Sequence, residues 1–195
     1  MNATETKVPG VLILRPQKHR DDRGYFIESF NEKRLHAIGI KCAFVQDNQS
    51  FSLARATVRG LHFQLPPFAQ AKIVRVVRGS IFDVAVDLRV GAPTFGDWIG
   101  HRLSAEGGEQ LYIPRGLAHG FCTLEPGTEV LYKVDAYYSK EHESGLIWND
   151  PILAIQWPIA STEAVLSDKD RRLPHFADFV SPFGYDGASC AERSS

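Results

Sequence analysis

The chain is poor in sulfur, with three cysteines and one methionine in 195 residues. Cys42, Cys122 and Cys190 are widely spaced and form no Cys-x-x-Cys pair, so a disulfide framework is disfavoured and a reducing compartment suits them better. Excess charge is missing too. Lysine and arginine total 22 against 23 acidic residues, a formal net charge of -1, and nucleic acid is not an expected partner. No apolar run approaches the ~18 residues of a membrane span. The polar start, MNATETKVPG, lacks a secretory apolar region. These absences point to a cytoplasmic protein.

What is present is an ordinary globular composition, 44% hydrophobic and 23% charged. At this length a single domain is expected, burying roughly 70% of the surface its unfolded chain exposes. Residues 1–183 show no internal repeat or interdomain linker. GYDGASCAERSS, from Gly184 to Ser195, reads as an untethered, flexible tail.

Helix signals are few. Asn31 can cap a short helix in which Leu35 and Ile38 share a face and Gly39 ends the run; Ser167 can cap a brief helix over residues 168–171. The remainder reads as short strands separated by turns: 11–14, 25–30, 42–52, 98–103, 110–114, 130–134, 136–138 and 155–158. That pattern predicts an all-β sandwich or barrel.

Its centre is RGLHFQLPPFAQAKIVRVVRGSIFDVAVDLR, residues 59–89. Two strand-like runs meet at Gly79-Ser80, which predicts a β-hairpin. In the second run Phe82, Val84, Val86 and Leu88 alternate with Asp83, Ala85 and Asp87, the period of a half-buried strand. Small β-barrels bind ligands with inward-facing residues of several strands. His62, Lys72, His119 and Tyr132 are polar groups set within such apolar patterns. A metal site is the first possibility for histidines on neighbouring strands.

GLHFQ with Gly79, and PRGLAH at 114–119, resemble the two motifs of the cupin superfamily. Those motifs usually supply three histidines and a glutamate. Here Gln64 replaces the second histidine and Lys72 holds the glutamate's place, leaving His62 and His119. A catalytic zinc needs about three protein ligands, and a facial iron triad needs a carboxylate. An ammonium among the ligands would repel a cation, so no metal is expected.

A longer resemblance spans roughly residues 8 to 180. DDRGYFIESF, QDNQSFS, VRGLHFQ, PTFGDW, IPRGLAHGF, LYKV, WNDP and LSDKD, in this order, are similar to the dTDP-4-dehydrorhamnose 3,5-epimerase family. That resemblance implies a metal-free cupin jelly roll, a homodimer, and a dTDP-4-keto-6-deoxyhexose substrate, with no cofactor. It implies that His62 is the base, partnered by Asp170, that Tyr132 is the acid and that Lys72 lies near the sugar ketone. Asp168, two residues from Asp170, is the alternative partner. By the same implication Arg23 and Arg59 face the diphosphate, and Tyr138 stacks on the nucleoside in a pocket shaped by Phe26. Glu28, Gln46, Asp47, Asn48, His119, Glu143 and Lys169 contact nucleotide or sugar.

These residue types suit the chemistry. An imidazole titrates near neutral pH and can take a proton α to a ketone. A carboxylate on its far nitrogen fixes the tautomer. An ammonium stabilises an enolate. The same set also serves an enzyme that epimerises C3 or C5 alone, a ketoisomerase, or a non-catalytic sugar-nucleotide binder. His119 reads equally as a substrate contact or as the residue holding its own loop together.

Overall fold

The computed structural model describes residues 1–187, and Cys190 with the rest of the expected tail lies outside them. The chain runs through β1 (Asn2–Glu5), β2 (Leu12–Arg15), β3 (Lys18–Asp21), β4 (Gly24–Ile27) and α1 (Glu32–Ala37). It continues through β5 (Gln46–Ser52), β6 (Val58–Gln64), β7 (Lys72–Arg78), β8 (Ser80–Asp87) and β9 (Trp98–Ser104). β10 (Gln110–Ile113), β11 (Leu117–Thr123), β12 (Thr128–Val134) and β13 (Glu143–Gly145) follow. One sheet has the order β1-β2-β10-β7-β12-β5 and faces a second, β13-β6-β11-β8-β9; β3 and β4 form a separate hairpin. All these pairings are antiparallel.

The predicted all-β class therefore holds, and so does the helix at its predicted place. The Asn31 side chain accepts from the Arg34 N–H, Leu35 is buried, and Gly39 follows with φ +89°. Helix α1 and the segment after it lay Leu35, Ile40 and Cys42 over Leu14, Ile73 and Tyr112 on the outer face of the six-stranded sheet. Between the sheets, Val74, Val76 and Val130 meet Ile81, Ala85, Leu117 and Phe121. The outer face of the second sheet is covered by C-terminal chain, including Leu153, Ile155, Phe179 and Phe183.

Several expectations need correction. Strands β7 and β8 do not pair. β7 lies between β10 and β12, whereas β8 lies between β11 and β9, so Gly79 marks a crossing from one sheet to the other. A Cβ on Gly79 (φ +76°) would come within 2.4 Å of Thr128 Oγ1, so the crossing accepts no side chain there. Strand β8 is buried on both faces rather than one: Asp83 and Asp87 are as fully enclosed as Val84 and Val86. Residues around His119, read as a loop, form β11, while 136–138 and 155–158 are not strand. Ser167 Oγ accepts from the Asp170 N–H at 3.1 Å, but Ser167 is not a cap: the element is a single 3-10 turn, Asp170–Arg172, whose N-cap is Lys169. The tail does not come loose at Gly184. Gly184 bridges Val90, and the Tyr185 N–H donates to Val90 O at 3.0 Å, because that stretch satisfies the exposed polar backbone after β8.

Candidate active site

An open cavity of about 500 Å³ lies between the sheets. Strand alternation explains its lining. On β7, Val74 and Val76 point into the sandwich, so Lys72 does too. On β12, Val130 shares that inward face with Tyr132, which pairs in register with Asn48 of β5. From the opposite sheet, β6 supplies Arg59 and His62, whose spacing of three breaks the alternation and is accommodated by a register shift against β11, and β11 supplies His119 as the register partner of His62. These two strands approach unusually closely. A Cβ on Gly60 (φ +124°) would sit 2.5 Å from Gly120 Cα.

The His62 ring is tied to the C-terminal 3-10 turn, with Nε2 2.7 Å from Asp170 Oδ1. Asp170 is thus the partner, and Asp168 is exposed, its carbonyl accepting from Arg172. Burial works against the Asp170 carboxylate, yet the bond to His62 and donors from Gly60 and Ser167 outweigh it and hold its pKa below the usual value. A proton on Nε2 directed at Asp170 leaves the Nδ1 lone pair as the basic site.

Lys72 is 7% exposed. Burial pushes its pKa down to about 8, against the opposing charges of Asp83 and Glu143. Its Nζ lies 5.7 Å from the Tyr132 ring centroid. Burial raises the Tyr132 phenol above its ordinary value, partly countered by Arg59 and reinforced by Glu143. At the rim, Glu143 pairs with Lys169 and accepts from the Tyr138 hydroxyl at 2.9 Å. Arg59 Nη2 donates to Phe51 O at 3.0 Å, clipping β6 to the edge strand β5.

Of the sixteen residues named for the site, eleven line this cavity: Gln46, Asn48, Arg59, His62, Lys72, His119, Tyr132, Tyr138, Glu143, Lys169 and Asp170.

 The other five, counting Asp168 as the rival partner, do not reach it. Asp47 alternates with Gln46 and Asn48 on β5, so it faces the opposite side of the sheet and bonds Lys133 Nζ at 2.8 Å. Glu28 pairs with Arg34 at 3.1 Å. Arg23 bonds Asp21 in the turn of the β3–β4 hairpin, and Phe26 on the same hairpin is 71% exposed. Sequence reasoning missed Asp83, whose Oδ1 lies 2.6 Å from His119 Nε2. Its Oδ2 is buried with no hydrogen bond among the described residues. The signal was there: the alternation in SIFDVAVD places Asp83 and Ala85 on one face, and that face is the inner one.

The donor set does not fit a cupin metal. Gln64 and Lys72 stand in two ligand positions, and no cluster of three or more His, Cys, Asp or Glu able to hold a metal ion occurs among the described residues. What the cavity offers is an imidazole oriented by a carboxylate, a phenol and a buried ammonium.

Residues 5–178 match the protein family described as dTDP-4-dehydrorhamnose 3,5-epimerase. This chain belongs to that family. A dTDP-4-dehydrorhamnose 3,5-epimerase of Shigella flexneri is 50% identical over 179 residues, covering 91% of this chain and 97% of the relative. The crystal structure of a Bacillus anthracis epimerase of the same name, with TDP and PPi bound, superposes with a TM-score of 0.87 at 52% identity, covering 89% of this chain and 98% of that one. A Legionella pneumophila dTDP-6-deoxy-D-glucose-3,5-epimerase in complex with dTDP-4-keto-L-rhamnose gives 0.89 at 40% identity, covering 94% and 98%. The two-sheet sandwich is accordingly the cupin-type jelly roll of this epimerase family.

Proposed function

We propose that the chain epimerises dTDP-4-dehydro-6-deoxy-D-glucose at C3 and C5 to give dTDP-4-dehydro-L-rhamnose, without a cofactor. The observation that carries the catalytic roles is that His62 and Tyr132 line one cavity from opposite sheets. Inverting a carbon requires a proton to leave from one face and return to the other, and groups on opposite walls meet that requirement.

The C4 ketone acidifies the hydrogens at C3 and C5. His62 Nδ1 takes the proton, and the imidazolium is stabilised by Asp170. The electron pair moves into the ketone, forming an enolate whose oxygen is neutralised by the Lys72 ammonium. With a pKa of about 8, Lys72 is mostly cationic at neutral pH. The Tyr132 phenol, kept protonated by its raised pKa, then delivers a proton from the other face. Proton exchange with water resets both groups before the second carbon reacts. Each acid–base group of this kind contributes about 10²–10⁴-fold.

Arg59 receives the diphosphate and Tyr138 stacks on the nucleoside; Gln46, Asn48, His119, Glu143 and Lys169 complete the contacts. Arg23 and Phe26 lie on a projecting hairpin, outside their own chain's cavity. We assign them to the site of a second copy in a homodimer, which is the arrangement that lets them touch substrate. The setting is the cytoplasm. No helix among the described residues is long and apolar enough to cross a membrane.

Incubation with the dTDP-4-keto-6-deoxyglucose substrate in heavy water, followed by proton NMR, tests the reaction. Deuterium at both C3 and C5 is expected. Label at a single carbon replaces this reading with a single-position epimerase, and a displaced carbonyl replaces it with a ketoisomerase. Tight binding without exchange leaves a non-catalytic binder.

A further inference from the structure

Four side chain–backbone hydrogen bonds converge on a short segment that follows β12. Gln70 Nε2 donates to Ala136 O at 2.7 Å, and Gln64 Nε2 donates to Tyr137 O at 3.2 Å. The Tyr138 N–H donates to Gln46 Oε1 at 3.0 Å, and the Ser139 N–H donates to Gln64 Oε1 at 2.7 Å. Residues 136–139 belong to no strand or helix, so glutamine amides take the place of a sheet ladder there. Gln64 also donates to Phe68 O at 2.7 Å, joining the loop after β6 to the same segment. It is 4% exposed, and its carbonyl and amide ends are both engaged.

The segment holds up one functional group. Tyr138 is 54% exposed, and its position at the rim comes from its own backbone and from the bond of its hydroxyl to Glu143. An aromatic ring that receives a base gains from being held in place beforehand, since ordering it on binding would cost affinity. Gln64, where a cupin metal ligand would stand, borders the cavity but commits both ends of its amide to this segment and to Phe68 O. We propose that Gln64 and Gln70 are positioning residues for Tyr138, clamping the 136–139 segment so that its ring is preset for the nucleoside. This rests on the assignment of Tyr138 as the stacking residue. It makes the former ligand position a determinant of nucleotide affinity with no part in the chemical step.

The test is a double-mutant cycle on the full chain, read by dTDP titration calorimetry and by steady-state kinetics. Tyr138→Ala is expected to weaken dTDP binding about 10–100-fold, the range of base–aromatic stacking. Gln64→Leu and Gln70→Ala are expected to weaken it about 3–10-fold, the value of a net hydrogen bond or two, raising KM and leaving kcat within about twofold. In the Tyr138→Ala background the same changes should cost less than about twofold, because the ring they position is gone. Gln64→Glu, which keeps the acceptor for Ser139 but sets a buried carboxylate oxygen against the Phe68 and Tyr137 carbonyls, should weaken binding at least as much as Gln64→Leu. Gln70, half-buried, carries the cycle if Gln64→Leu does not fold. Glutamine effects that persist in full without Tyr138, or that fall on kcat, overturn the clamp. So does unchanged dTDP affinity in both glutamine variants when Tyr138→Ala loses it. Unchanged affinity in Tyr138→Ala overturns the stacking assignment and the clamp with it.

Discussion

Two histidine–aspartate pairs face each other across neighbouring strands of the site, and their surroundings separate their roles. His62–Asp170 and His119–Asp83 have nearly the same length, 2.7 and 2.6 Å. The His62 side chain is 30% exposed to the cavity, and its aspartate arrives on a turn 108 residues later in the chain. The His119 side chain is 7% exposed, and its aspartate lies on the adjacent strand β8. Pairing with a carboxylate thus says little about catalysis by itself. What distinguishes a base is access to substrate together with a partner that orients it. His119–Asp83 is the enclosed counterpart, and the Asp83 charge acts on Lys72.

The largest expected effect bears on that contrast directly. His62→Ala should lower kcat by about 10²–10⁴-fold and suppress deuterium exchange at both carbons. His119→Ala should act mainly on KM, and equal losses of kcat in both variants would break the comparison. Lys72→Met is next, with about a 10²–10³-fold loss of kcat from removal of the enolate's counter-charge. It also tests a pair of opposite pH trends. Activity of the unaltered enzyme should fall as pH rises through about 8, where Lys72 loses its proton. Its folded pKa lies below the unfolded value near 10.5, so between these limits the unfolded chain binds more protons and stability rises with pH. Denaturant titrations should therefore show the advantage of Lys72→Met over the parent shrinking from pH 8 to 10.5.

The aspartates come third. Asp170→Asn should cost activity, about 10²-fold or more, with little change in Tm, because it spoils the tautomer of an accessible ring. Asp83→Asn should do the reverse and lower Tm, since it unpairs a group buried on every side; buried pairs cost about 3–5 kcal/mol to break. An Asp83→Asn enzyme with unchanged Tm and lost activity would move His119 into the chemistry. A subunit-mixing experiment addresses the exposed hairpin. Inactive Arg23→Ala and His62→Ala proteins, exchanged at equal ratio, should recover about a quarter of full activity if each site borrows the other copy's hairpin. No recovery removes Arg23 from the partner's site. The smallest effect is on acid stability. The Asp170 pKa is lowered on folding, so its contribution is complete above the unfolded value near 4 and is lost as pH falls through the folded one. Unfolding curves of Asp170→Asn should converge with the parent below that range.

Much of this is legible in the sequence. Period-two alternation and turn residues announced strands, and the Asn31 cap and Gly39 stop bounded the helix correctly. Where reading failed, the missing quantity was long-range. Gly79-Ser80 is a turn in either case, but whether the next strand folds back or crosses to another sheet depends on partners 30 or more residues away, β10, β11 and β12. Asp83 and Asp87 looked like the solvent face of β8 because alternation reports two faces and not which is covered. The C-terminal chain covers one face and the opposite sheet the other. Asp47 is the instructive case, because its neighbours Gln46 and Asn48 enter the cavity, and alternation alone excludes all three from sharing a face.

The sequence by itself determined which chemical groups are available: an imidazole, a phenol and a lysine on β strands, with glutamine and lysine where metal ligands would stand. Side-chain identity and alternation are local properties, and they suffice for that. The tertiary structure decided which groups meet. It set Asp170 rather than Asp168 against His62, buried Asp83 behind His119, turned Gln64 toward the Tyr138 segment and placed His62 and Tyr132 on opposite sheets. Those outcomes depend on two sheets closing over one another, and the free energy that selects that closure is spread along the whole chain.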